Sequence, residues 1–310
     1  MAEEKKQVTT DLVIIGGGIA GLTAAIYAVR AGKQAMILEA KAYGGQIVNT
    51  PDIENYPGFA HISGFDFATK VFEQATALGA ETVFEKAVKI TPHDGIFTVT
   101  TNKADHDGKT VIIATGSENR KLGLPDEDRL VGRGVSYCAT CDGAFFRGKT
   151  VAVVGGGNTA LEDALYLSEL AKTVYLIHRR DEFRGAEATA EQLRGRENVK
   201  FVLNSTVTAL HAEKRLKSIT VKNKNGDETE LEVNGLFVAV GRIPENQNFA
   251  EVAELDGAGY VIAGEDCRTN TPGIFAAGDN RVKEVRQLVT AASDGAAAAT
   301  EAVKYLNSNR

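Results

Sequence analysis

Two stretches of the chain repeat one pattern of apolar and polar positions. "TDLVIIGGGIAGLTAAIYAVRAGKQAMILEA" from Thr10 and "KTVAVVGGGNTALEDALYLSELAKTVYLIHR" from Lys149 each run a β-branched apolar segment into three glycines. An amphipathic helical stretch and a second apolar segment follow in both. The first glycines are Gly16 and Gly155, and the second segments end 23 residues later, at Glu39 and His178. Self-similarity over that length predicts a duplicated βαβ unit. Continuous apolar runs closed by glycine turns predict strands buried on both faces, as in a parallel sheet.

The remaining pattern fills in around these units. "GFDFATKVFEQATALGA" (Gly64–Ala80) predicts an amphipathic helix. "ETVFEKAVKI", "IFTVTT" and "KTVIIATG" predict strands, with "HDG" and "HDGK" as the turns between them. "GLPDEDRLVGRGV" (Gly123–Val135), rich in glycine and charge, is expected to be part of a linker. A β-rich stretch from Val199 to Val240 leads to a second crossing near Gly241–Asn248. "GIFAAGDN" (Gly273–Asn280) reads as a buried strand, and the small-residue helix after it suits close packing against backbone. The architecture expected is α/β, with two Rossmann-like, three-layer dinucleotide-binding domains, the second inserted into the first. One domain would comprise residues 1–118 and 248–310, the other residues 119–247.

Composition narrows the function. A chain of 310 residues suits about two domains. A net charge of −6 offers no basic excess for neutralising phosphates, which argues against nucleic acid as a partner. No stretch approaches the 18 apolar residues of a membrane span. The charged start "MAEEKKQVTTD" has no apolar h-region, so a protein without a secretory signal is expected. With 3 cysteines one must be unpaired, unlike a disulfide framework. The expectation is a cytoplasmic enzyme.

The glycines close a strand and open a helix, the setting in which a GxGxxG signal points to a dinucleotide. Gly16 would make the tight turn, Gly18 would let a pyrophosphate approach the backbone, and Gly21 would allow helix and strand to pack closely. Gly155, Gly157 and Ala160 take those places in the second unit. Each helix N-terminus offers free N–H groups to phosphates. Glu39 stands where a carboxylate accepts hydrogen bonds from a ribose 2′-OH, so the first unit suits FAD or NAD. "HRRDEFR" puts His178, Arg179, Arg180 and Arg184 at that position of the second unit. Arginine forks match phosphate oxygens, which points to NADPH rather than NADH.

Cys138 and Cys141, in "SYCATCDG", lie just ahead of the second unit. One C-x-x-C supplies two ligands where structural zinc needs four, and the 5 histidines show no partner spacing, so no metal is expected. Two incidental buried cysteines are the other alternative. A redox dithiol is the reading that uses the spacing, which lowers one thiol pKa. Asp142, next to Cys141, is then a candidate proton donor or acceptor, the competing reading being a helix-capping aspartate. Cys267 has no partner nearby in sequence and is read as structural or incidental. A flavin-type site, an NADPH-type site and a dithiol together specify a path for electrons from a hydride donor to a disulfide.

The sequence resembles the low-molecular-weight thioredoxin reductases over essentially its whole length. The resemblance rests on "GGGIAGLTAA", "YGGQI", "IIATGS", "SYCATCDGAFFRGK", "VVGGGNTALEDALYLS", "IHRRDEFR", "GLFVAVGR" and "TPGIFAAGD". C-A-T-C-D-G ahead of the second unit separates the chain from glutathione-reductase-like enzymes, whose redox cysteines lie near the N-terminus. The resemblance implies a homodimer with FAD and NADPH domains that reduces the disulfide of thioredoxin. It implies that Gly44, Gly45, Gln46 and Asn55 lie near the isoalloxazine and Asp279 near the ribitol, with Arg286 and Gln287 following it. Asn158 and Thr159, at the head of the second helix, fall with the NADPH residues. Cys141 would be the sulfur nearest the flavin, Cys138 the one that attacks the substrate, and Asp142 the acid–base aspartate. The family alternates between two domain orientations, with hinges expected near Gly116–Gly134 and Gly241–Asn248. "GRIPEN" departs from the family by placing Glu245 between a proline and an asparagine often adjacent there. Reduction of another dithiol carrier, or a flavin thiol oxidase with little use for "HRRDEFR", are the alternative functions.

Overall fold

The computed structural model describes residues 9–50 and 52–308. It divides into two compact units, one of residues 1–118 and 243–310, the other of residues 119–242. The charged N-terminal residues before Thr9, on which the expectation about a secretory signal rests, lie outside the described part.

The first unit is built on a seven-stranded sheet. Strand Thr10–Ile15 pairs in parallel with Ala35–Leu38 on one side and with Asp105–Ile113 on the other. Asp105–Ile113 is long enough to serve two partners on its far edge. Its first half takes the antiparallel strand Ile96–Thr101, and its second half takes Ile274–Ala276 in parallel. Alternate residues of one strand therefore feed two cores. Leu12 and Ile14 join one, Val13 and Ile15 the other, and all four are buried.

Helices Ile19–Arg30 and Leu288–Ser308 cover the first face. Their approach is close because the second helix is lined with alanine and glycine. A Cβ on Gly295 would collide with the Ala20 carbonyl oxygen. Helix Gly64–Ala77 is started by Ser63, whose hydroxyl accepts the Asp66 N–H at 3.0 Å.

A buried charge network ties the small-residue helix to the strand end at Gly278. Arg281, 2% exposed, makes a two-pronged pair with Asp294 at 2.8 Å from both Nε and an Nη. Lys283 and the Gly278 N–H also donate to Asp294 Oδ2, at 2.8 and 2.9 Å. Burial pushes the Asp294 carboxyl up, but the bonds from Arg281, Lys283 and Gly278 outweigh it and hold it below the usual range. A carboxyl depressed in the folded state stabilises the fold above its unfolded pKa of about 4 and loses that contribution as pH falls through the folded value. Melting temperatures measured from pH 7 to pH 2 are thus expected to fall steeply below about pH 4. Asp294→Asn is expected to start lower and to flatten that acid limb.

The second unit holds a five-stranded parallel sheet in the order Val199–Val202, Thr173–Ile177, Thr150–Val154, Gly235–Val238, Val135–Ser136. A three-stranded antiparallel sheet of Ser205–Ala212, Leu216–Asn223 and Glu228–Glu232 packs against it through Ile219, Val221 and Leu216. The two units repeat each other bond for bond at the glycine turns. Gly16 N–H donates to Leu38 O and Gly155 N–H to Ile177 O, at 2.8 and 3.1 Å. Ala114 N–H donates to Ile15 O and Ala239 N–H to Val154 O, both at 2.8 Å.

Two local expectations are corrected. His106–Lys109, read as a turn, lies inside strand Asp105–Ile113, and the chain reverses at Asn102–Lys103 instead. Pairing with Ile96–Thr101 wins over the turn-forming character of Asp107 and Gly108. Gly123–Val135, read as linker, contains the helical turn Glu127–Leu130 and packs into the second unit. Glu127, 3% exposed, accepts the N–H groups of Leu122, Gly123 and Leu124 and the Tyr137 hydroxyl, so its carboxylate folds the segment around itself.

Candidate functional site

The first glycine turn opens onto a cavity of about 740 Å³ at the carboxyl ends of the parallel strands. This is where open α/β sheets bind ligands. Gly16 sits at φ +111° with its α-carbon against the Ala114 carbonyl, where a side chain would be both strained and in collision. Gly18 has no atom within 4 Å of a would-be Cβ and faces open space. Gly21 lies in the helix over Gly16, close enough that a Cβ would meet its carbonyl oxygen. Glu39 is fixed by two backbone donors, Gly17 N–H at 2.7 Å and Lys41 N–H at 2.8 Å. Its carboxylate is thus aimed by the glycine turn itself.

Gly16, Gly18, Glu39, Gly44, Gly45, Gln46, Asp279 and Gln287 all line this cavity. Gly44 N–H donates to Gly17 O at 2.7 Å, which brings the "YGGQI" turn onto the glycine turn. Asn55 and Arg286 do not line the cavity. The Asn55 amide donates to Gln287 Oε1 at 3.2 Å, and the Arg286 guanidinium stacks 4.3 Å over the Tyr260 ring. Glu245, the departure in "GRIPEN", also lines the cavity. Beside it Asn246 is fully buried, accepting the Thr115 hydroxyl at 3.0 Å and donating to Gly259 O and Asn280 O.

At the second glycine turn Gly157, like Gly18, faces open space. Arg179, Arg180 and Arg184 are exposed, and the loop carrying Arg184 folds back onto the turn. Arg184 N–H donates to Gly156 O at 2.7 Å, and the Asn158 side-chain oxygen accepts Ala186 N–H at 2.8 Å. Asn158 and Thr159 are exposed at the head of the helix. His178 differs from the arginines. It is 6% exposed, and its ring occupies the space a Cβ on Gly156 would need, stacked on Phe183. Burial lowers its pKa and the three neighbouring arginines add to that, against a backbone bond at Glu182. A histidine held neutral adds no positive charge at pH 7, so the arginines alone supply the cationic character read in "HRRDEFR".

Cys138 and Cys141 are bonded to each other, with α-carbons 5.3 Å apart. Cys138 immediately precedes the single helical turn Ala139–Asp142 and Cys141 lies within it, and that turn runs into a tighter one at Gly143–Phe146. One turn carries too little aligned backbone for a helix-dipole argument about the thiols. Cys138 is half-buried and Cys141 exposed. Asp142 stands at the N-cap position of the turn Gly143–Phe146, but its side chain makes no capping bond there. Its carboxylate accepts the Ser136 hydroxyl at 2.6 Å, and burial raises its pKa while that bond lowers it. Cys267 is buried in the first unit, its thiol pushed up to about 12 by burial and the neighbouring Asp294. That places it among inert cysteines.

Sequence reading missed Thr115, Ser117 and Gln247 in the cavity wall and Ser136 beside the disulfide. Thr115 and Ser117 follow the end of strand Asp105–Ile113, and position at the carboxyl edge of the sheet was the signal available; Gln247 offered no such signal. Ser136 carried none beyond its closeness to C-x-x-C.

A family described as Pyridine nucleotide-disulphide oxidoreductase matches residues 10–296. A thioredoxin reductase of Treponema pallidum (strain Nichols) is 43% identical over 299 residues, 96% of this chain and 97% of that protein. A thioredoxin reductase of Bacillus subtilis (strain 168) is 40% identical over 308 residues, 99% of this chain and 96% of that protein. The crystal structure of thioredoxin reductase from Streptococcus pyogenes MGAS5005 matches with a TM-score of 0.93 at 41% identity, covering 98% of this chain and all of that one.

Proposed function

The chain belongs to the pyridine nucleotide-disulphide oxidoreductase family, and from that membership we propose which of its residues carry electrons and protons. Its activity is the NADPH-dependent reduction of the thioredoxin disulfide, with FAD and the Cys138–Cys141 pair as relay. The observation that carries the assignment of roles is the bonded cysteine pair with an aspartate held beside it by a buried hydroxyl.

The cavity of the first unit would hold FAD. The residues there fit a large polar ligand. Ser117, 6% exposed and in the cavity wall, has a buried hydroxyl oxygen with no partner among the described residues. Gly18 leaves room for phosphates, and Glu39 is oriented to accept from a ribose. Gly44, Gly45 and Gln46 lie along the same wall, with Asp279 and Gln287 opposite in sequence; Asn55 and Arg286 act through Gln287 and the Asp279 loop. When bound, FAD accepts a hydride from NADPH and delivers the electron pair to a disulfide. Ser117→Ala is expected to raise the FAD dissociation constant about fivefold, read by flavin fluorescence on titrating apoprotein.

The second unit would hold NADPH, with Gly155, Gly157 and the helix head at Asn158 and Thr159 receiving the pyrophosphate and Arg179, Arg180 and Arg184 the 2′-phosphate. His178 positions the glycine turn from beneath and stays neutral.

In the dithiol form the Cys138 thiolate attacks a substrate sulfur, forming a mixed disulfide and releasing the other substrate sulfur as thiolate. Asp142 donates the proton that this leaving sulfur takes up. Cys141, three residues away and already at bonding distance in the oxidised form, then attacks Cys138 Sγ. The intramolecular disulfide is restored, and the second substrate sulfur leaves as a thiolate that takes up the proton Cys141 gave up. Two electrons have passed to the substrate and none is left unaccounted for.

We propose further that the protein is a homodimer of the cytoplasm, a compartment in which disulfides are usually transient and catalytic. No helix among the described residues is long and apolar enough to cross a membrane. Light scattering on the purified holoenzyme tests the dimer: a mass near twice 33.0 kDa is expected, and a mass near 33.0 kDa would sink it.

A further inference from the structure

We propose that Ser136 is a positioning residue of the redox turn, its hydroxyl holding the Asp142 carboxyl to the Cys138 backbone in both protonation states of that carboxyl. The proposal rests on the reading of Asp142 as proton carrier.

Ser136 is 3% exposed, and its backbone is fixed by pairing of Val135–Ser136 with Leu236 and Phe237. Its hydroxyl donates to Asp142 Oδ2 at 2.6 Å and accepts the Cys138 N–H at 3.1 Å. A second acceptor, Cys138 O, lies 3.3 Å from the same oxygen. Cys138 O in turn accepts the Asp142 N–H at 3.1 Å. These bonds close a ring that joins the first cysteine of the turn to the aspartate after the second.

A hydroxyl carries one hydrogen and two lone pairs and rotates to suit its partners. With Asp142 ionised, the hydrogen points to Oδ2 and a lone pair takes the Cys138 N–H. With Oδ2 protonated, the carboxyl donates to Ser136 Oγ, both lone pairs are used, and the serine hydrogen turns to Cys138 O. Neither state strands a buried donor or acceptor. Asp142 can therefore take up and release a proton without the turn rearranging.

Burial raises the Asp142 carboxyl and Ser136 pulls it down. Helix Asn158–Ser168 packs against this turn, with Tyr166 against Gly143. Its titratable groups, Glu162, Asp163 and Tyr166, do not contribute to the balance on Asp142.

The test is a carbon-13 NMR titration of carboxyl-labelled aspartate in oxidised holoenzyme, comparing wild type, Ser136→Ala and Ser136→Thr, with Asp142→Asn to assign the signal. Loss of a bond to the charged form favours the neutral one, so the Asp142 titration is expected to move upward in Ser136→Ala and return toward wild type in Ser136→Thr. Turnover with thioredoxin is expected to fall about tenfold in Ser136→Ala, with the Asp142 limb of its pH profile displaced in the same direction. An unmoved titration in Ser136→Ala, or an equal displacement in Ser136→Thr, would overturn the proposal. Undiminished turnover in Asp142→Asn would instead overturn the reading of Asp142 on which it rests.

Discussion

Cys141→Ser is expected to lose thioredoxin turnover by roughly a thousandfold or more while accumulating a covalent complex with thioredoxin through Cys138. The reason is the order of attack. Cys138 alone suffices for the first exchange, which makes a mixed disulfide, but only a second thiol three residues away releases the product. A serine oxygen at position 141 is not nucleophilic enough to do so. Cys138→Ser is expected to lose turnover equally and to form no complex. Non-reducing gel electrophoresis of each NADPH-treated variant with oxidised thioredoxin separates the two roles. A complex from Cys138→Ser and none from Cys141→Ser would reverse them. Flavin reduction by NADPH is expected to survive in both variants, since neither cysteine belongs to a glycine-turn unit.

Replacing Arg179 and Arg180 together by glutamine is expected to raise KM for NADPH about a hundredfold and to leave KM for NADH nearly unchanged. A hydrogen bond to a charged group is worth about 1.5–3 kcal/mol where it is shielded, and two at the low end account for that factor. The side chains are exposed, so screening keeps the effect at the low end, and added salt is expected to shrink it further. With kcat close to wild type the loss would be one of binding alone. Burial lowers the His178 pKa, so no rise in NADPH affinity from this ring is expected as pH falls from 8 to 7. Steady-state kinetics with both nucleotides at several ionic strengths provide the check. An equal loss for NADH would show that the arginines support the loop rather than the 2′-phosphate.

Much of this was legible in the chain because it is local. Glycine spacing, β-branched runs and the 23-residue interval repeated at Gly16–Glu39 and Gly155–His178 need no tertiary information. C-A-T-C-D-G is likewise complete within six residues. What escaped is set by distant partners. His178 reads as one of four cations, yet its ring is drawn under Gly156 by the sheet, and burial removes its charge. Glu127 sits in a stretch with the composition of a loop, and only its four converging donors make that stretch part of a core. Gly108 has the signature of a turn, but it pairs with Thr10 on one side and Phe97 on the other. Ser136 is an ordinary serine until the chain brings Asp142 back to it.

The central claim is that electrons leave NADPH only to reach a disulfide through the Cys138–Cys141 pair. NADPH oxidation at 340 nm by the purified holoenzyme, with and without oxidised thioredoxin and with dissolved oxygen followed in parallel, tests it most directly. The predicted result is oxidation that depends on thioredoxin, yields two thiols per NADPH and consumes little oxygen. Rapid oxidation that is indifferent to thioredoxin and matched by oxygen uptake would contradict it.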